Sequence, residues 1–314
     1  MDKTKKIQHF ILTRFNLYLW NKDKEGCPVR TKQWLEHRFE LFNRYCLPSI
    51  KNQTSQNFEW IVLFDSTTPD TFREKITEWQ KSCPQFVPVY VEPRNGRYFA
   101  EIFRKEVIRR FKGSSTSEAE EPSASASASS ASVQEFKGRL LTTYLDNDDA
   151  LNVRFVEDIQ QRMQSLVDGS FIYYTEGYQY FTDHRYLMKI HYPRNHFVSV
   201  IESGNPSAVK TIYGYGSHYY IDKIKDVRIE YVKDAPMWCQ VVHEKNMGND
   251  AYFLNAKMVR ENDNENENTL VRDFGLQVEV NSGIGLYLFR FLPRYAKTFI
   301  RRSKIKLRGY RFEK

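Results

Sequence analysis

Apolar residues in the first third of this chain alternate between short unbroken runs and helical repeats. Ile7 to Leu12 is a compact apolar run broken by Thr13-Arg14-Phe15-Asn16, the pattern of a strand followed by a loop. From Trp34 to Ile50 the residues Leu35, Phe39, Phe42, Tyr45 and Cys46 recur at helical spacing, and Pro48 sits near the helix end. Trp60 to Phe64 has the composition of a buried parallel strand, with Asp65 at its carboxyl tip before a Ser/Thr/Pro turn. A helix over 71–81, a strand from Val87 to Val91 and a basic-faced helix from Tyr98 to Phe111 follow. This alternation predicts βαβ units and an α/β fold with a mostly parallel sheet. Farther on, Val153 to Val167 reads as a helix, 171–181 alternates like one antiparallel strand, and 186–243 is rich in aromatics and short strand-like runs.

Three segments break the pattern. Residues 113–134 form a serine- and alanine-rich tract with no apolar periodicity, read as a flexible insertion. The acidic run 261–268 reads as an exposed loop. From Arg290 onward ten basic residues face one acidic residue, with Phe291, Leu292, Phe299, Ile300 and Leu307 between them. Residues 286–314 are therefore either a basic amphipathic tail on an anionic membrane surface or a solvated charged helix. The domain expected to carry the chemistry is 1–285.

Composition narrows the classes. Aromatic content of 15% argues against disorder over most of the 314 residues, and a net charge of +8 favours anionic partners. Cys27, Cys46, Cys83 and Cys239 are scattered without a C-x-x-C pair, so neither a zinc site nor a disulfide framework is expected, and reduced thiols point to a cytoplasmic protein. The N-terminus reads as a first strand and not as a signal peptide, since Arg14 interrupts its apolar part. No window reaches the ~18 to 20 apolar residues of a membrane span.

One stretch carries chemistry that packing does not explain. In Leu141–Leu151, LTTYLDNDDAL, a strand-like approach ends in Asp146, Asn147, Asp148 and Asp149. Clustered carboxylates repel and need a donor, a basic side chain or a metal to be stable in a fold. Asp146 and Asp148 share one side of an extended chain and can face one divalent cation, Mg²⁺ or Mn²⁺, with a diphosphate completing its shell. The motif alone leaves open a plain Asp-rich turn with Asp149 as helix N-cap.

Three segments together resemble a known group. The run LPSIKNQTSQNFEWIVLFDSTTPDT is similar to the opening of inverting family 2 glycosyltransferases with the GT-A fold, with Gln53-Thr54, the strand 60–64, Asp65 and Asp70-Thr71 at matching places. LDNDDAL resembles that group's D-x-D metal motif, and WCQVVHEKNMGN its late histidine segment, where the matching residue is His243. With TRFN after the first strand and W-L-x-x-R-F-x-L-F at 34–42, the pattern over residues 7 to about 255 looks closest to the putative rhamnosyl transferase family. Two departures stand out: Phe64 replaces the usual carboxylate before Asp65, and the late Glu-Asp pair that supplies the base has no clear counterpart.

The resemblance implies a GT-A fold and transfer of a sugar, rhamnose favoured, from a nucleotide-diphosphate donor such as dTDP-rhamnose to a glycan or lipid-linked glycan acceptor, with inversion, in surface polysaccharide synthesis. Residues 186–243 would form the acceptor side of the cleft. Asp146, Asp148 and His243 would hold Mn²⁺ or Mg²⁺, with Asp149 orienting them or touching the sugar. Thr13, Arg14, Asp65 and Arg104 would line the nucleotide and phosphate pocket. The carboxylate that deprotonates the acceptor is assigned to Asp222, among Tyr213, Tyr215, Tyr219 and Tyr220, with Asp234 and His218 as further candidates. The competing reading is a non-enzymatic basic protein that binds nucleic acid or membrane. No nucleic acid is expected, because no RNA-binding signature accompanies the aromatics. Nucleotidyl transfer lacks its glycine-rich, lysine-containing loop.

Overall fold

A computed structural model describes residues 7–22, 28–111, 138–243, 256–259 and 268–281. The serine/alanine insertion, the acidic run except Asn268, and the basic tail lie outside the described residues.

The expected alternation is present. β1 (Ile7–Arg14) leads to α1 (Lys32–Leu41), a π-helical turn (Phe42–Cys46) and α2 (Leu47–Lys51). Pro48 has no N–H to donate one turn back, and the wide turn directly precedes it. β2 (Glu59–Asp65), α3 (Asp70–Ser82), β3 (Phe86–Val91), a 3-10 turn (Pro93–Tyr98) and α4 (Phe99–Arg110) complete the first half. Then come β4 (Arg139–Tyr144), β5 (Ala150–Leu151), α5 (Phe155–Met163), β6 (Ser170–Tyr174), β7 (Glu176–Phe181), β8 (Tyr186–His191) and β9 (Ser199–Ser203). α6 (Thr211–Gly214), a 3-10 helix (His218–Lys223), β10 (Arg228–Val232), β11 (Trp238–Val242), β12 (Ala256–Met258) and α7 (Thr269–Phe274) follow.

The main sheet has the order β10-β6-β9-β4-β1-β2-β3. Its β4-β1-β2-β3 side is wholly parallel, and β9 runs antiparallel to both β4 and β6. This is the mixed, mostly parallel α/β architecture expected. A second sheet, β12-β8-β7-β11-β5, stands beside it. β1 and β2 are buried almost end to end, as a sheet covered on both faces requires. Against one face Phe42, Trp60 and Phe86 stack around Trp79.

The sequence pattern over 171–181 does not form a single strand. The chain leaves the main sheet after Tyr174 and enters the second sheet at Glu176, and Thr175 between them donates its N–H to Val232 O. Gly177 makes this crossing possible, since a Cβ there would stand 2.2 Å from the Trp238 ring. The same handover happens at the acidic stretch. β4 belongs to the main sheet, β5 pairs antiparallel with β11 in the second, and residues 145–149 bridge the two at the carboxyl ends of β1 and β4. Open α/β sheets bind ligands at this edge.

Beneath that edge, His9 is buried between Thr143 Oγ1 at 2.8 Å and Gln160, and Thr143 reaches Ser199 at 2.7 Å. Burial drives the imidazole pKa down to about 3. The unfolded chain takes up this proton near the ordinary histidine value and the folded chain does not. Stability contributed by neutral His9 is therefore complete above about pH 6.5 and lost as pH falls toward 3, by up to ~1.4 kcal/mol per pH unit. Urea midpoints measured across this window should fall with a shallower pH slope in His9→Asn than in the parent, by up to one proton's worth.

Candidate active site

The turn 145–149 brings three carboxylates together, and each takes its partners from a different part of the fold. Asn147 fixes the turn, donating to Arg14 O and Phe15 O at 2.9 Å each. Asp146 is half-buried, accepts from Tyr144 Oη at 2.8 Å, and lies 3.6 Å from the Arg14 guanidinium. Arg14 is itself surrounded by the rings of Phe99, Tyr144 and Tyr213, at 4.8 to 5.6 Å, and its Nε is buried without a partner.

Asp148 is buried between Arg38 Nη1 at 2.8 Å and His243 Nε2 at 3.0 Å. Burial pushes its carboxyl pKa up, but the Arg38 guanidinium and then the His243 contact outweigh this and hold it below the usual carboxylate range. Asp149 is inaccessible to solvent. It receives the Val241 N–H at 2.8 Å and faces His196 Nε2 at 2.7 Å. Burial, with repulsion from Asp148 and Asp146, raises its pKa to about 7. Burial works against charge on His196 too, yet the hydrogen bond to Asp149 and the field of the carboxylates raise its pKa.

Asp146, Asp149 and His196 each place a ligand atom within 4.8 Å of the others. Two carboxylate oxygens and an imidazole nitrogen suit Mn²⁺ or Mg²⁺. This set differs from the expected one in two members. Asp148 and His243 face each other at 3.0 Å beside the Arg38 guanidinium and lie outside that cluster. His196, in the turn before β9, joins Asp146 and Asp149, while His243 adjoins Asp148 of the same turn.

The other expected residues divide. Asp65 is buried at the tip of β2, as its position predicts, but both oxygens are engaged: Oδ2 by Arg30 at 2.7 Å, Oδ1 by Thr67 N at 2.8 Å and Thr67 Oγ1. Thr13 faces the core, where Oγ1 accepts from Trp60 Nε1 at 2.9 Å, and does not reach the loop edge. Arg104 ties α4 to the segment before α6, donating to Val209 O and Pro206 O at 2.8 and 2.9 Å. The Arg104 guanidinium thus staples two elements of the fold. Asp222 lies on the 3-10 helix His218–Lys223, with Oδ2 on Arg194 at 2.5 Å and Oδ1 buried without a partner. Asp234 is exposed and paired with Arg162. His218 Nε2 is likewise buried without a partner, and its ring centre is 5.9 Å from that of His196. Burial, with repulsion from His196 and Arg14, lowers its pKa to about 3.

Sequence reasoning did not assign Arg38, His196, Arg30 or Arg194. Arg38 sits inside the W-L-x-x-R-F segment, whose spacing signalled it. His196 follows Arg194-Asn195 with no neighbouring metal-ligand spacing, and only the three-dimensional arrangement brings it to Asp149.

A family model described as putative rhamnosyl transferase matches residues 28–121 and 110–253. The chain belongs to this family. No curated protein matches the chain. Among solved structures, that of S. aureus TarS is 11% identical with a TM-score of 0.35 over 76% of this chain, and the chain spans 37% of that one. A TarS fragment, 1–349, in complex with UDP is 10% identical with a TM-score of 0.35, over 76% of this chain and 60% of that one. The likeness to both is too slight to bear on what this family member does.

The buried ion pair sets a stability expectation. Arg38→Met leaves the Asp148 carboxylate buried without its guanidinium and should cost about 3–5 kcal/mol of folding free energy. Arg38→Met/Asp148→Leu should recover part of that loss, read from urea unfolding midpoints.

Proposed function

We propose that this protein is a metal-dependent inverting glycosyltransferase that moves a sugar, rhamnose favoured, from a nucleoside diphosphate to an acceptor hydroxyl. The observation that carries the reading is the Asp146, Asp149 and His196 cluster at the carboxyl ends of parallel strands, in a member of the putative rhamnosyl transferase family. These three residues would hold Mn²⁺ or Mg²⁺, which supplies charge neutralisation for the departing diphosphate. Arg14, whose Nη2 lies 3.6 Å from Asp146, is suited to a phosphate oxygen. The Val241 N–H on Asp149 Oδ1 and the Tyr144 hydroxyl on Asp146 Oδ1 keep the two carboxylates in place.

Asp222 supplies the base. Its unpartnered Oδ1 takes the proton of the acceptor hydroxyl as that oxygen attacks the anomeric carbon. The bond from that carbon to the diphosphate oxygen breaks on the opposite face, which inverts the configuration. Arg194 holds Asp222 in place through Oδ2. The pathway reading is surface polysaccharide synthesis on the cytoplasmic side of a membrane. Among the described residues no helix is long and apolar enough to cross one.

Two measurements test the proposal. Mn²⁺ binding, followed by electron paramagnetic resonance with dTDP present, should weaken at least about tenfold in Asp149→Asn and His196→Ala and stay within a few-fold in His243→Ala. Loss through His243 with His196 dispensable would restore the sequence-derived ligand set and overturn this one. With dTDP-rhamnose and Mn²⁺, Asp222→Ala should lose about 10² to 10⁴ in transfer to hydroxyl acceptors. It should still form the inverted glycosyl azide, because azide has no proton to give up. No turnover of any nucleotide sugar by the parent protein would end the reading.

A further inference from the structure

Four of the eight large apolar side chains exposed among the described residues, Tyr18, Trp20, Tyr90 and Tyr98, gather at one corner of the molecule. Tyr90 stands near the carboxyl end of the edge strand β3, and Tyr98 closes the 3-10 turn that follows it. The two line one groove against α4. Tyr18 and Trp20 belong to the loop after β1, which packs on that turn so closely that a Cβ on Gly96 would stand 3.1 Å from Tyr18 N. Beyond Trp20 the loop doubles back, with Lys22 bridged to Pro28 and the Val29 N–H donating to Asn21 O at 3.2 Å.

The fold holds these rings out in water. Arg30 stacks at 4.4 Å on Tyr18 while it binds Asp65, and Arg73 stacks at 4.6 Å on Tyr90 while it donates to Thr68 O. Asn16 ties the root of the loop to β2 by accepting the Asp65 N–H at 3.0 Å. Around the rings Lys22, Arg94 and Arg97 are exposed, Arg97 stacking at 4.7 Å on Tyr98. Glu92 is the exposed acid among them, while Glu101 and Glu106 of α4 are paired with basic residues of their own helix.

We infer that this corner docks on an anionic membrane surface, with Trp20 and the tyrosines at headgroup level and Lys22, Arg94 and Arg97 toward the lipid phosphates. Rings with an apolar body and one polar end suit the boundary between headgroups and acyl chains, and basic side chains beside them attract acidic lipids. A soluble polyanion would meet the cations and leave the rings in water. An apolar groove on another protein would take the rings and leave the cations unanswered. This surface is separate from the basic tail, and the inference stands whether or not the protein transfers a sugar. Docking here sets the carboxylate site beside the lipid, because Tyr98 leads into Phe99, on which Arg14 stacks at 4.8 Å.

Tryptophan fluorescence reads this corner and not the tail. Of the five tryptophans Trp20 is 55% exposed, Trp60, Trp79 and Trp238 are buried, Trp34 is partly buried, and residues 286–314 contain none. The whole chain, mixed with vesicles of phosphatidylglycerol and chain-brominated phosphatidylcholine, should show emission that shifts to the blue and is quenched, with neither change on vesicles of brominated phosphatidylcholine alone. Arg94→Ser and Arg97→Ser should each weaken binding in vesicle sedimentation about fivefold. Trp20→Ser should lose the quenching and weaken sedimentation about three- to tenfold. All three side chains are exposed, and unchanged urea midpoints check that the variants fold. Sedimentation with acidic vesicles while the emission stays unchanged is binding through the tail alone and overturns the inference, as does equal quenching on neutral vesicles or no vesicle binding. Emission already blue-shifted and shielded from acrylamide without lipid overturns it too, in favour of a second copy where the shielding grows with protein concentration and of the chain's own tail where it does not.

Discussion

Three carboxylates within four residues, largely out of water, repel one another. The fold around 145–149 is arranged to offset that repulsion. No single cation does it. Asp146 leans on Tyr144 and the Arg14 guanidinium of β1, and Asp148 on Arg38 of α1 and His243 after β11. Asp149 takes the Val241 N–H and His196. The turn is thus cross-linked to β1, α1, β11 and the segment before β9. Removing either partner of the Arg38–Asp148 pair leaves an uncompensated buried charge, which is worse than never having buried the pair.

That division of partners also divides the chemistry. A carboxylate held below its usual range by a guanidinium, like Asp148, is a fixed anion, and its energy is spent on shape. A carboxylate raised toward neutrality beside an imidazole, like Asp149, exchanges charge readily with whatever enters the site. Asp146, half-buried and facing Arg14, lies between. Under the proposed function, the side of the turn toward His196 is where a cation and a diphosphate would be accommodated, and the side toward Arg38 holds the first side in place.

How much of this was legible in the sequence follows from the range of the forces involved. The βαβ alternation depends on local periodicity, and β1, β2, α3, β3 and α4 appear within a few residues of where the pattern puts them. Asp65 and Asp146 at strand tips follow from the same local signal. The 171–181 run was read as one strand because alternation says nothing about which sheet a residue joins; Gly177 under Trp238 decides that, and only the tertiary packing shows it. Thr13 and Arg104 went to the core and to a staple because hydrogen-bond partners 47 and 105 residues away, Trp60 and Val209, claimed them. His196 was invisible for the same reason, its partner Asp149 being 47 residues upstream.

The segment between β8 and β9 joins the two halves of the site. Asn195 pins it, donating to Tyr174 O and Tyr192 O at 2.8 Å and accepting from Phe197 N at 3.0 Å. Phe197 stacks at 4.9 Å on Trp238, whose Nε1 donates to Tyr174 O and whose ring fills the space above Gly177. On this rigid segment Arg194 reaches Asp222 and His196 reaches Asp149. Under the proposed function, the spacing between Asp222, the proposed base, and the Asp149–His196 side of the site is then set by one short segment and not by two independent loops. Single displacement requires the nucleophile and the leaving group to stay in line, and a common anchor is the economical way for one chain to keep them so.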